Sequence, residues 1–68
     1  MKNLYFEDRF GERRKIGEAD DVNTASPIIS KFLYEHSFKS YYMNIWVENG
    51  EIYIDVGSHS EFFVLSPH

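Results

Sequence analysis

The dipeptide Asn49-Gly50 constrains the fold more than any other feature, because it separates two segments of alternating polarity. Asn-Gly is preferred in type I′ turns, which need positive φ at both central residues and join antiparallel strands through two residues. Residues 41–48 and 51–56 alternate between apolar and polar side chains, as half-buried strands do. The turn fixes the register and predicts these opposite pairs: Glu48 with Glu51, Val47 with Ile52, Trp46 with Tyr53, Ile45 with Ile54, Asn44 with Asp55, and Met43 with Val56.

A second reversal is predicted at residues 57–60, where glycine and serine supply ordinary turn chemistry. Residues 61–65 then form a last strand, so that the C-terminal part of the chain is a three-stranded meander. A two-residue turn at this reversal predicts two further neighbours, Phe63 beside Ile54 and Phe62 beside Asp55.

The segment from residue 21 to residue 37 predicts the helix. Its apolar side chains recur at spacings of three and four and form one stripe: Ala25, Ile28, Ile29, Phe32, Leu33 and His36. Thr24 is the expected N-cap, because its hydroxyl can accept a hydrogen bond from a backbone amide of the first turn. Pro27 would then lie within that turn, where its missing N–H removes no helical bond.

The N-terminal residues predict a hairpin. Residues 3–7 alternate, residues 8–11 contain turn formers, and residues 12–16 return as a second strand. Ile16 is the one strongly apolar residue of that return strand, which indicates an edge position. The chain of 68 residues is therefore expected to form a single α+β domain. Its predicted architecture is an antiparallel sheet of four to five strands in the order β-β-α-β-β-β, with one helix packed on one face.

The predicted register sorts the meander into two faces. The aliphatic face, suited to receive the helix, contains Met43, Ile45, Val47, Ile52, Ile54, Val56, Phe63 and Leu65. The aromatic face contains Tyr42, Asn44, Trp46, Tyr53, Asp55, Phe62 and Val64. One helix covers one face, so exposed aromatic side chains would mark an interface. The candidate partner-binding residues are Tyr42, Trp46, Tyr53, Asp55 and Phe62. In the alternative interpretation the sheet curls and buries both faces within the monomer.

Composition argues against several classes of function. The chain has no cysteine, which excludes disulfides and thiolate chemistry, and its net charge of -4 argues mildly against general nucleic-acid binding. Its apolar runs are short, so we expect neither a membrane span nor a signal peptide. Asp55, Ser58 and His59 lie close in sequence, but a tight hairpin would separate the serine from the histidine. We therefore expect no enzyme, no cofactor and no metal site.

A basic cluster in the N-terminal hairpin supports an alternative function. It consists of Arg9, Arg13, Arg14 and Lys15. Together with an aromatic side chain for base stacking, such a cluster can bind the phosphates of a nucleic acid. A solvated edge strand explains the same residues more simply, and the net negative charge favours that interpretation.

Three strings give the chain a family resemblance: Phe32-Leu33-Tyr34-Glu35-His36-Ser37-Phe38-Lys39, Tyr41-Tyr42-Met43-Asn44-Ile45-Trp46, and Asp55-Val56-Gly57-Ser58-His59-Ser60-Glu61-Phe62-Phe63. In these strings, which cover about the C-terminal half, the sequence resembles small proteins encoded by phages and prophages of Gram-positive bacteria. The resemblance implies an accessory gene product in the bacterial cytoplasm that binds a host or phage protein. Self-association as a homodimer is compatible with it, and it transfers no catalytic residue.

Overall fold

The computed structural model describes residues 1–36, 42–57 and 60–68, which form one antiparallel sheet and a helix on one of its faces. The elements are β1 Lys2–Glu7, β2 Arg13–Ala19, α1 Val22–Glu35, β3 Asn44–Glu48, β4 Glu51–Asp55 and β5 Phe62–Ser66. The strands lie side by side in the order β2-β1-β5-β4-β3. The predicted α+β class and the order β-β-α-β-β-β are therefore confirmed.

The C-terminal meander forms as its turn chemistry predicts. Asn49 has a φ of 52° and Gly50 a φ of 76°, the two positive values that a type I′ turn needs. The β3–β4 pairs from Glu48 with Glu51 to Asn44 with Asp55 match the predicted register, and Phe63 lies beside Ile54. Strand β3 begins at Asn44, later than the alternation suggested, and residue 41 lies outside the described residues.

The N-terminal hairpin places one strand at the centre of the sheet and one at its edge. Strand β1 pairs with both β2 and β5, and β2 lies at the predicted edge. Asp8 closes the hairpin turn, since its carboxylate accepts from the backbone N–H groups of Phe10 at 2.9 Å and Glu12 at 3.0 Å. Strand β2 runs further than predicted, to Ala19, because its pairing with β1 continues beyond a bulge at Ile16.

The helix starts earlier than predicted, and the assignment of Thr24 as N-cap is wrong. The N-cap is Asp21, whose Oδ1 accepts from the backbone N–H and from the hydroxyl of Thr24, both at 2.8 Å. Thr24 is therefore the third helical residue, and its hydroxyl donates to the cap. Pro27 lies inside the helix, where its ring removes the hydrogen bond that a backbone N–H would give to the carbonyl of Asn23.

Removing the N-cap side chain should destabilise the fold in a pH-dependent way. The hydrogen bonds from Thr24 hold the pKa of the Asp21 carboxyl below its ordinary value. The stabilisation is therefore present above the unfolded pKa of about 3.9 and is lost as the pH falls through the folded pKa. We expect Asp21→Ala to lower the midpoint of thermal unfolding near neutral pH, and the difference from wild type to shrink in acid.

The matched control for this cap is the neighbouring carboxylate of Asp20, which is exposed and lies 3.9 Å from the N-terminal amine. Asp20→Ala should leave the midpoint of thermal unfolding nearly unchanged. An equal loss for Asp20→Ala and Asp21→Ala would show that general charge, not capping, sets the effect.

The core lies between α1 and the strands β2, β1 and β5. The Phe32 ring is 4.7 Å from that of Phe6 and meets Phe63 edge-on at 5.6 Å, so the helix stripe packs near the centre of the sheet. Toward β2, the Cγ2 atom of Ile28 lies 3.1 Å from the position that a Cβ atom on Gly17 would occupy. The buried apolar residues are Leu4, Ala19, Ala25, Ile29, Phe32, Leu33, Ile54, Val56, Phe63, Val64 and Leu65.

The helix covers less of the aliphatic face than predicted. Ile54 and Leu65 are fully buried beneath it, whereas Ile45 is 49% and Val47 70% exposed on β3. Met43 is exposed as well. The reason is the strand order, because α1 lies toward the β2 edge and β3 forms the opposite edge.

Candidate functional site

Three aromatic side chains from three neighbouring strands meet on the aromatic face. The Trp46 indole stacks on the Tyr53 ring at 5.6 Å with 9° between the ring planes. Phe62 meets the same indole edge-on at 5.7 Å. We call these three side chains the aromatic cluster. Cross-strand pairing positions them, since Trp46 lies opposite Tyr53 in the β3–β4 ladder.

The aromatic face is open to solvent at the β3 edge and closed where β5 lies beside β1. Trp46 remains 38% exposed, while Tyr53 and Phe62 are half-buried. Val64 is 0% exposed although the helix lies on the other face, and its ladder neighbours are Tyr53 and Tyr5. The Tyr5 hydroxyl donates to the backbone carbonyl of His68 at 2.6 Å and so ties the C-terminus to β1. The structure thus lies between the two interpretations of the sequence, with Val64 enclosed and Trp46 accessible.

Arg13 links the closed side to the aromatic cluster. Its Nη1 and Nη2 donate to the two carboxylate oxygens of Glu51 at 2.7 and 3.1 Å, and its Nε donates to Glu7 at 2.9 Å. Nη2 also donates to the Tyr53 hydroxyl at 3.0 Å. Because Arg13 is on β2 and Glu51 on β4, the arginine side chain spans β1 and β5. This bidentate, charge-assisted arrangement fixes the outer edge of the Tyr53 ring.

The electrostatics of this network favour the charged form of each member. Hydrogen bonds to Glu51 and then Glu7 raise the pKa of the Arg13 guanidinium. Hydrogen bonds from Arg13 and then from Ser66 lower the pKa of the Glu51 carboxyl. Two carboxylates share one guanidinium, so the network retains negative charge beside the aromatic cluster.

Arg13 belongs to this site, although the sequence groups it with the other basic residues. Alternation along β2 predicts that Arg13 and Lys15 lie on the same side of that strand. That signal identifies the side of the strand, but it does not show that β4 is within reach.

The basic cluster does not form one surface. Arg9 is exposed in the first turn, and Arg13 is bound by two carboxylates on the aromatic face. Arg14 lies opposite Phe6 on the helix side of β2, and Lys15 lies 3.6 Å from Glu18. Nucleic-acid binding by this cluster stays a prediction. A lack of binding to single- and double-stranded DNA and RNA at low salt would contradict it.

The remaining predicted site residues have separate positions. Asp55 is half-buried, and its Oδ1 accepts from the backbone N–H of Gly57 at 3.0 Å, so this carboxylate shapes the chain after β4. Tyr42 is exposed just before β3. Residues 58 and 59, which carried the hydrolase hypothesis, lie outside the described residues.

Two other kinds of site are absent from the described ranges. Within residues 1–36, 42–57 and 60–68, no three acidic or histidine side chains converge in a way that could hold a metal ion. In the same ranges no helix has the length and apolar character needed to cross a bilayer.

Comparisons with protein-family models, with curated proteins and with solved structures find no match to this chain. We therefore base the functional proposal on the geometry of the aromatic face.

Proposed function

We propose that this chain is a non-catalytic accessory protein that binds another protein through its aromatic face. The observation that carries the proposal is the exposure of Trp46 within an ordered aromatic cluster on the face away from the helix. Tryptophan and tyrosine are enriched among the residues that dominate binding energy at protein interfaces. Leaving such a cluster in contact with water is unfavourable, and a partner surface would remove that cost.

The packing of the aromatic cluster supports a binding role. Trp46 is held by the Tyr53 ring on one side and the edge of Phe62 on another, and Tyr53 is held through its hydroxyl by Arg13. Side chains that are already ordered lose less conformational entropy on binding, so more of the contact energy appears as affinity.

The charges around the cluster indicate the chemistry of the partner. Glu48 is exposed at the end of β3, two residues after Trp46 and on the same side of the strand, and Glu51 lies opposite Glu48. The network of Arg13 with Glu7 and Glu51 is also negative in sum. The expected partner surface is apolar at its centre and carries lysine or arginine at its rim.

The biological setting belongs to the same proposal. The resemblance to phage and prophage proteins supports action in the bacterial cytoplasm on a host or phage protein. A second copy of the chain is a further candidate partner for this face.

Substitution of the exposed tryptophan provides the test. The full chain would be used to capture a partner from a bacterial lysate, and the purified partner would be titrated calorimetrically against each variant. We expect Trp46→Ser to weaken binding by about 30-fold, the effect of losing an interface residue worth about 2 kcal/mol. Circular dichroism would verify that the variant folds.

Tyr34 provides a matched aromatic control, since it lies on the helix and is 87% exposed. Tyr34→Ser should bind the partner as wild type does. Equal affinities for wild type and a folded Trp46→Ser variant would overturn the proposal.

A further inference from the structure

The two edges of the sheet differ in how they are protected. The β2 edge carries Arg13, Arg14 and Lys15 in succession and is interrupted by the bulge at Ile16. The β3 edge, Asn44–Glu48, contains one charged residue, and neither a proline nor a register shift occurs within it. Charges and bulges prevent an edge from pairing with another chain, so β2 is protected and β3 is not.

The hairpin turn decides which backbone groups of β3 face outward. A two-residue type I′ turn makes Glu48 and Glu51 a hydrogen-bonded pair, and such pairs alternate along an antiparallel ladder. Trp46 therefore directs its N–H and carbonyl toward β4, whereas Ile45 and Val47 direct theirs away from the sheet. No described strand lies on that outer side of β3.

We infer that β3 pairs antiparallel with β3 of a second copy of this chain, about a two-fold axis at Trp46. In this register Ile45 lies opposite Val47 of the second copy, and Val47 lies opposite its Ile45. Each of these pairs joins two outward-facing residues and exchanges two backbone hydrogen bonds. A shift by one residue would set outward-facing groups against inward-facing ones and lose those bonds.

The side chains complement one another in the same register. On the helix side, the two pairs of Ile45 with Val47 would cover side chains that are 49% and 70% exposed in the single chain. On the other side the two Trp46 indoles become neighbours. Glu48 lies opposite Asn44 of the second copy, so no like charges face each other across the β3–β3 ladder.

This dimer does not rest on the proposed function, because edge hydrogen bonds and the aliphatic pairs hold it together. It extends that function, however, since two aromatic clusters would lie side by side on one continuous sheet. A C₂ contact of this kind places the same strand on both chains and closes without forming filaments.

The test is the solution mass by light scattering or sedimentation over a hundredfold range of concentration. Wild type should approach twice the chain mass of 8.1 kDa as its concentration rises.

Val47→Pro should keep the mass of a single chain, because proline removes an outward-facing N–H and leaves the bonds to β4 intact. Val47→Thr retains the N–H and should dimerise. Ile45→Lys places a charge at the same edge and serves if the proline variant fails to fold.

A second measurement tests the register. The chain has no cysteine, so a single introduced cysteine reports on its own surroundings. Trp46→Cys should form an intermolecular disulfide under mild oxidation, because residues on the axis have Cα atoms about 4.5 Å apart. Asn44→Cys should not, since its two copies are separated by four residues in register, about 13 Å.

Three results would overturn the inference. The first is a wild-type protein whose mass stays that of a single chain at every concentration. The second is a dimer that still forms in both Val47→Pro and Ile45→Lys. The third is an equal yield of intermolecular disulfide for Trp46→Cys and Asn44→Cys. A dimer that ignores the edge variants and is lost in Phe62→Ser would assign self-association to the aromatic face instead.

Discussion

Replacing Phe63 with alanine is expected to unfold most of the protein at room temperature. Phe63 is 1% exposed on β5 and packs against the rings of Phe6 and Phe32, both at 5.6 Å. Phenylalanine-to-alanine substitutions in a core cost about 3–5 kcal/mol. The core of a domain this small supplies roughly 3–5 kcal/mol of net stability, so the loss is of the same size as the whole.

Urea unfolding followed by circular dichroism measures this effect. The control is Phe10→Ala, because Phe10 is exposed in the first hairpin turn and its loss should change the free energy of unfolding by less than about 0.5 kcal/mol. A cooperative transition for Phe63→Ala near the wild-type midpoint would contradict the described core.

Replacing Arg13 with methionine is the second large effect that we expect. Methionine keeps the unbranched aliphatic stem of the side chain but leaves the carboxylates of Glu7 and Glu51 without their shared guanidinium. The loss of stability should be about 2 kcal/mol near neutral pH, since hydrogen bonds to charged groups are worth about 1.5–3 kcal/mol and the Arg13 side chain is 30% exposed. Arg14→Met, on the other side of the same strand, is the control and should have little effect.

The difference between wild type and Arg13→Met should depend on pH. The pKa of the Glu51 carboxyl is lowered in the folded protein, so the stabilisation is present above the unfolded pKa of about 4.3. It is lost as the pH falls through the folded value. Urea midpoints of both proteins should therefore converge in acid. Adding Glu51→Gln to Arg13→Met should recover part of the loss at neutral pH. A gap that stays constant with pH would show that Arg13 acts through packing alone.

The local features of the fold were predictable because each depends on residues close in sequence. Asn49 and Gly50 supply positive φ in succession, and the register from Trp46 with Tyr53 onward follows from that turn. The three members of the aromatic cluster follow from the same register once β5 is placed beside β4. Spacing predicts the helix stripe in the same way, but it does not locate the cap: the sequence favours Thr24 where the structure has Asp21, because both residue types cap helices.

The long-range features were not predictable from the pattern. Strand β1 pairs with β5 across almost the whole chain, and no local signal specifies that pairing. This placement brings Tyr5 next to Val64 and so buries Val64, which the predicted register places on the aromatic face, away from the helix. It also sets the two-strand gap that Arg13 spans to reach Glu51. The close approach of Ile28 to Gly17 draws the helix toward β2 and leaves Val47 uncovered.

Contact between the aromatic face and another protein can be observed at Trp46, because it is the single tryptophan of the chain. Fluorotryptophan incorporated at Trp46 gives one fluorine NMR signal from the face itself. We predict that this signal shifts and broadens as the captured partner is added to saturation, because the exposed indole enters the interface. A signal that keeps its position and width in the saturated complex would show that the aromatic face lies outside the interface.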